Sequence, residues 1–149
     1  MSRHKRFDLL LHLAGERDRE AVRALADRKA AMEEAQAKLQ DLLIYRDDYA
    51  KVLAEGGGPG LGIQVRDYLQ FLTRLNKAIT EQQDSIGRHR GAVAAATQRW
   101  QDTQKQIAVL GKVAERARAA DNKDRERRDQ KLTDELAGHR HLRGRDDHG

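Results

Sequence analysis

Three groups of residues in this chain are of types and spacings that could do chemistry. The first is Glu55-Gly56-Gly57-Gly58-Pro59-Gly60-Leu61-Gly62, glycine-rich enough to bring backbone N–H groups around a phosphate. A phosphate-binding loop ends in Gly-Lys-Ser/Thr, which supplies an ammonium for the phosphate and a hydroxyl for magnesium. This stretch has neither, and a turn is the reading left. The second is His139-Arg140-His141, with His148 beyond. A structural or catalytic zinc wants about four fixed ligands, and no carboxylate is held rigidly beside these histidines, so no metal site is expected. The third is the large set of carboxylates, together with His89. Shifting a carboxylate into a catalytic pKa range needs a water-excluding pocket, and His89 falls on a weakly apolar helix stripe. No enzyme chemistry and no cofactor are expected. With no cysteine, disulfide and thiolate chemistry are excluded.

The elements that would position any site are helices. Charged residues make up 36% of the 149 and aromatics only 4%, a mixture characteristic of long helices and coiled coils. Low hydropathy with high charge also marks disordered chains, but sustained heptads argue for order. Stepping by sevens from Leu11 gives Asp18, Leu25, Met32, Leu39, Arg46 and Leu53, and from Ala14 gives Ala21, Arg28, Ala35, Leu42 and Tyr49. Most are apolar, and the exceptions are spaced apart, which predicts one striped helix over 6–54, about 70 Å long at 1.5 Å per residue.

After the glycine stretch the repeat is cleaner. Val65, Leu72, Ile79, Ile86, Val93, Trp100, Ile107 and Ala114 form one unbroken apolar series, with a weaker companion running from Tyr68 to Ala117. Gly87, Gly91 and Gly111 lie off the stripe. This predicts a helix over 63–137, stopped at Gly138, and a flexible tail over 138–149. Between the helices stand the only proline and five of the twelve glycines. Glycine costs a helix about 1 kcal/mol and proline about 3, so the chain turns at 55–62, with Gly56 placed to close the first helix. Two striped helices on a short loop bury their stripes against each other. The expected fold is therefore all-α: one domain over 1–149, an antiparallel coiled-coil hairpin whose longer second helix overhangs the first by its last 20 or so residues. The layer register stays open, since a slip of one heptad suits the same loop.

The net charge of +5 invites a nucleic-acid reading. The cations alternate with acids, however, as in Glu16-Arg17-Asp18-Arg19-Glu20, and that is the pattern of a solvated helix face. Phe7-Asp8-Leu9-Leu10-Leu11-His12-Leu13 superficially resembles a signal peptide, but Asp8 and His12 break the apolar run and no small-residue cleavage site follows. No stretch approaches the roughly 20 apolar residues of a membrane span, and a cytoplasmic protein is expected.

One region departs from this pattern. Tyr45, Tyr49, Tyr68 and Phe71 are all the tyrosines and phenylalanines except Phe7, and they gather on the two arms beside the turn. Leu42-Leu43-Ile44, Leu69 and Ala78 add apolar residues there, several of them off the stripe. Such a cluster on a charged chain without a pocket points to a docking surface; reinforcement of the hairpin tip is the alternative.

At these residues the sequence resembles the FliJ family, the small coiled-coil component of the flagellar type III protein export apparatus. The resemblance runs from Phe7-x-Leu9-x-x-x-x-Leu13 through Leu42-x-x-Tyr45-x-x-x-Tyr49, Tyr68-Leu69-Gln70-Phe71-Leu72-x-x-Leu75-x-x-Ala78-Ile79 and Trp100 to Asp129-Gln130-Lys131 and Asp134-Glu135. The denser glycine turn, the alanine-rich middle of the second helix and the His/Arg tail depart from the pattern. The resemblance implies a hairpin similar to the rotor stalk of rotary ATPases, peripheral to the inner membrane at the flagellar base. Its partners would be the hexameric export ATPase, the cytoplasmic domain of the export-gate protein FlhA, and export chaperones. Carried over by position, the gate-binding patch is Lys38, Leu42, Tyr45 and Tyr49 with Phe71, Leu75, Ala78 and Gln82. From charge and position at the opposite end, Arg17, Arg19, Arg116, Arg118, Arg125 and Arg128 are the candidates for meeting the ATPase ring. A generic coiled-coil scaffold, or the equivalent stalk of a virulence secretion system, is the alternative. The scaffold reading gains if Tyr45 and Phe71 point into the seam.

Overall fold

A computed structural model describes the chain over residues 2–56 and 65–146. The first helix, α1, spans Arg3–Gly56 and the second, α2, spans Val65–Asp146. The described chain is all-α, and the two long helices pack against each other as their stripes require. Packing divides the chain into two units. The terminal unit comprises Met1–Asp18 with Asp102–Gly149, and the inner unit comprises Arg19–Gln101.

In the inner unit Tyr49 faces Tyr68 and the Gln82 amide reaches the Ala35 carbonyl, so two heptads down α1 correspond to two heptads up α2. The helices are antiparallel, and these pairs give the register that the repeat leaves open. Its buried apolar residues are Ala21, Ala35, Leu75, Ile79 and Ile86. In the terminal unit His4 meets Asp121, Asp8 meets Arg118 and Asp18 meets Thr103, again with opposite chain sense. Ala14, Ala114 and Ala117 are buried there. On α1 the fully covered residues are alanines, whereas Leu11, Leu25, Met32 and Leu39 stay half-exposed. The large aliphatics that the seam does enclose, Leu75, Ile79 and Ile86, all come from α2.

Three exceptions to the apolar repeat, Asp18, Arg46 and Gln82, make cross-helix contacts. Asp18 accepts hydrogen bonds from the Thr103 hydroxyl and the Gln104 amide, both at 2.7 Å. Arg46 donates to Asn76 Oδ1 at 3.2 Å, and Gln82 Nε2 donates to the Ala35 carbonyl at 2.8 Å. Polar residues at seam positions select register at some cost in stability, and these four hydrogen bonds accompany the observed register.

Helix ends differ from expectation. α1 starts at Arg3 rather than at residue 6. Ser2 stands at the N-cap, its carbonyl accepting from Arg6 N–H at 3.3 Å, and His4 has a partner on α2. α1 also takes in Glu55 and Gly56, while the rest of the expected turn, Gly57 to Gly62, lies outside the described residues. At the other end Gly138 does not stop α2, so 138–146 is helix rather than tail; 147–149 are outside the described residues. One glycine costs a helix only about 1 kcal/mol, and no proline follows it. The overhang is present within the terminal unit, where every described side chain from Asn122 to Arg143 is exposed. Gly87, Gly91 and Gly111 lie off the seam, and a Cβ built at each meets nothing within 4 Å.

Candidate functional site

The candidate site lies in the inner unit, where the last turns of α1 meet the first turns of α2. The spacing Leu42-x-x-Tyr45-x-x-x-Tyr49 is that of one helix face, and Tyr68-x-x-Phe71-x-x-x-Leu75 is its counterpart on α2. Antiparallel packing interleaves the two sets. The Phe71 ring centroid is 4.3 Å from that of Tyr49 in a tilted contact and 5.6 Å from that of Tyr45, edge-on. Tyr49 stacks on Tyr68 at 5.6 Å with the ring planes 7° apart. All three separations are close enough for stabilising ring contacts, each contributing about 0.5–1.5 kcal/mol beyond area burial. Four rings from two helices thus form one continuous cluster.

Exposure across the cluster is graded. Tyr45 is 53% exposed, Tyr49, Tyr68 and Phe71 are half-buried, and Leu75 is only 7% exposed. Leu75 therefore supports the patch from beneath. Leu42 and Ala78 are half-buried, Lys38 is exposed at the border, and Gln82 uses its amide on Ala35. The off-stripe Ile44 and Leu69 are exposed beside the rings. Tyr45 thus points outward, while Phe71 is shared between the seam and the surface.

The family profile described as "Flagellar FliJ protein" matches residues 3–146. The chain belongs to the FliJ family. Relatives include the flagellar FliJ proteins of Escherichia coli (strain K12) and Salmonella typhi. Each is 26% identical over 138 residues, covering 92% of this chain and 94% of the relative. The chain is thus a member of a family of flagellar proteins, and its alignment covers both helices.

The six arginines singled out for their charge are all exposed. Arg17, Arg116, Arg118, Arg125 and Arg128 belong to the terminal unit, whereas Arg19 belongs to the inner one. Arg118 is paired with Asp8 at 3.2 Å. Arg125 and Arg128 line an open depression of about 400 Å³ with Ser2, His4, Lys5, Asp121 and Asp124. Among the described residues no three potential metal ligands are gathered. Among the described residues no helix is long and apolar enough to cross a membrane.

The contact that ties the start of α1 to α2 could not be seen in the repeat. The His4 ring Nδ1 approaches Asp121 Oδ2 at 2.6 Å, and the His4 backbone N–H donates to the same oxygen at 3.3 Å. The side-chain hydrogen bond from His4 is the main cause holding the Asp121 carboxyl below its ordinary value; partial burial opposes it, and the backbone hydrogen bond and the charges of His4 and Arg3 assist. A folded-state pKa lowered in this way contributes stability above the unfolded value, which is lost as the pH falls through the folded one. Asp121→Asn is therefore expected to lower the melting temperature near neutral pH. The difference from wild type should shrink as the pH falls below about 3.8, which paired thermal melts would measure. A difference that persists unchanged in acid would mean the carboxylate charge is not what matters.

Proposed function

We propose that this chain is a stalk and adaptor of the flagellar type III export apparatus. In this reading it joins the hexameric export ATPase to the cytoplasmic domain of FlhA and handles export chaperones, peripheral to the inner membrane at the flagellar base. It acts by binding, with no chemistry of its own. The observation that carries the reading is the four-ring cluster: a large aromatic surface with Tyr45 turned outward, at the positions where resemblance to the family places the gate contact. Exposed tyrosine beside packed aromatic and aliphatic neighbours is the composition of a binding hot spot. The exposed arginines of the terminal unit support assigning that unit to the ATPase ring, and Arg19 is the one candidate that belongs to the inner unit.

The test is co-purification with the export ATPase and with the FlhA cytoplasmic domain, comparing wild type with Tyr45→Ala/Phe71→Ala. Affinity for the FlhA domain should fall about tenfold, or ~1.4 kcal/mol, with helicity by circular dichroism and ATPase binding preserved. A variant that stays helical and binds the FlhA domain fully would remove the aromatic patch from this role. It would favour the scaffold reading, in which the rings merely reinforce the helix pair.

A further inference from the structure

The inner unit has two flanks, one on each side of its helix seam. The edge-on contact of Tyr45 with Phe71, ring centroids 5.6 Å apart, identifies one of them. A helix turns about 100° per residue, so Asp41 and Asp48 lie about 40° and 60° round α1 from Tyr45, on the side away from the seam residue Tyr49. Both belong to a row that recurs at every seventh residue: Glu20, Asp27, Glu34, Asp41, Asp48 and Glu55. Ala21 and Ala35 are buried and Tyr49 stacks on Tyr68, so the repeat stays in phase with the seam and the row keeps to this flank. All six carboxylates are exposed, and among the described residues none of them makes an ion pair.

The other charges on this flank do not offset the row. Nearest the seam, α1 contributes Lys38 and α2 contributes Arg99. The outer row of α2 alternates as Asp67, Arg74, Glu81 and Arg88 and cancels itself. The flank therefore holds eight carboxylates against four cations, while the rest of the unit holds three acids, Glu33, Asp47 and Asp84, against nine lysines and arginines. Interleaved signs mark a solvated face, and the α1 row lacks them. The same flank also carries open apolar surface. Tyr45 is 53% and Val52 57% exposed, with Ile44 at 47% just outside the acidic row, and Phe71 and Ala78 are half-buried beside them.

We propose that this flank is a docking surface for a basic amphipathic helix supplied by a partner protein. Its apolar stripe would cover Tyr45, Val52 and Phe71, and lysines or arginines at seven-residue spacing would meet Asp41, Asp48 and their neighbours in the row. Successive carboxylates of the row are about 10 Å apart along the axis, the spacing at which a helix running alongside presents one residue per heptad. A second copy of this chain laid flank to flank would set acids against acids. Nucleic acid and anionic lipid have the wrong sign. The proposal rests on the reading that the aromatic cluster receives a partner, and names the chemistry which that partner brings.

The test uses the full chain and two labelled synthetic peptides, followed by fluorescence anisotropy. Both are helices of three heptads with leucine at a and d; one has lysine at e and g, the other glutamate. The basic peptide is expected to bind about tenfold more tightly than the acidic one. Asp41→Asn/Asp48→Asn, which changes only exposed side chains, should weaken it about fivefold. Glu33→Gln/Asp47→Asn makes the same change of charge on the same helix but off the flank, and should leave binding within about twofold. Tyr45→Ala/Phe71→Ala should weaken it about tenfold. Equal effects of the two neutralisations would overturn the proposal by reducing the attraction to bulk charge. So would equal binding of the two peptides, or a dimer of the free chain in sedimentation that Asp41→Asn/Asp48→Asn dissociates. If the basic peptide fails while the FlhA domain still co-purifies through Tyr45 and Phe71, the basic partner falls and the gate reading stands. If the peptide binds as expected while the FlhA domain does not co-purify, the gate reading falls and the docking surface stands.

Discussion

Ile79→Ala is expected to destabilise the inner unit by about 2–4 kcal/mol. Ile79 is 5% exposed, and Leu75 and Ile86, one turn before and two turns after it, are the other buried large aliphatics of the whole described chain. Removing its branched side chain takes away the transfer free energy of three carbons and leaves a void that neighbouring alanines are too short to fill. Urea titration followed by circular dichroism would show a lower midpoint, with the slope unchanged if unfolding stays cooperative. Leu69→Ala is the matched control: Leu69 is 53% exposed, and its loss should change stability by no more than about 0.5 kcal/mol. Equal effects at the two positions would mean that the seam identified by burial is not the stabilising one.

Ala14→Leu tests the opposite property of the packing. Ala14 is the most deeply buried residue of the terminal unit, at 2% exposure, and Ala114 and Ala117 are buried in the same unit. From heptad arithmetic alone a leucine on this stripe should strengthen the coil, since leucine is a favoured seam residue. The packing argues for the reverse. Alanines permit a close approach of the two backbones, and a leucine there forces strained rotamers or drives the helices apart, at about 1–3 kcal/mol. It would also disturb the Asp18 contacts with Thr103 and Gln104 one turn away, both of which are short. The expected result is a lower thermal midpoint than wild type. A higher one would show that the seam can widen without loss and that close backbone approach is not a constraint in this unit.

Much of the candidate site is legible in the chain itself because aromatics are so scarce in it. With four of the five tyrosines and phenylalanines placed either side of the glycine stretch, any antiparallel pairing near a turn brings them together. Their division of labour is not legible. Leu75 and Phe71 read alike as apolar residues at helical spacing, yet Leu75 is covered and Phe71 is shared between seam and surface. Leu10 and Leu13 were similarly ambiguous. In one dimension they belong to an apolar run leading into the first helix, and only the structure shows that both are exposed, at 45% and 42%. Asp18, Arg46 and Gln82 break the repeat and look like flaws in it, and their acceptors or donors lie more than a turn away on the other helix, where no local pattern can point.

The amino-acid sequence by itself determined that this protein is two long helices with one break between them. Those features follow from local terms: clustered glycines with a proline disfavour helix where a single glycine does not, and apolar residues every three and four positions give each helix a single sticky face. Register, flank and depth were decided by the tertiary structure. Heptads slipped by one repeat bury nearly the same apolar area, so the choice among them falls to a few specific contacts: the Tyr49–Tyr68 stack, Gln82 on Ala35, Asp18 with Thr103 and Gln104, and His4 with Asp121. Each joins residues that are remote in sequence and meaningless apart, and together they fix which side chains line the seam and which remain outside to meet a partner.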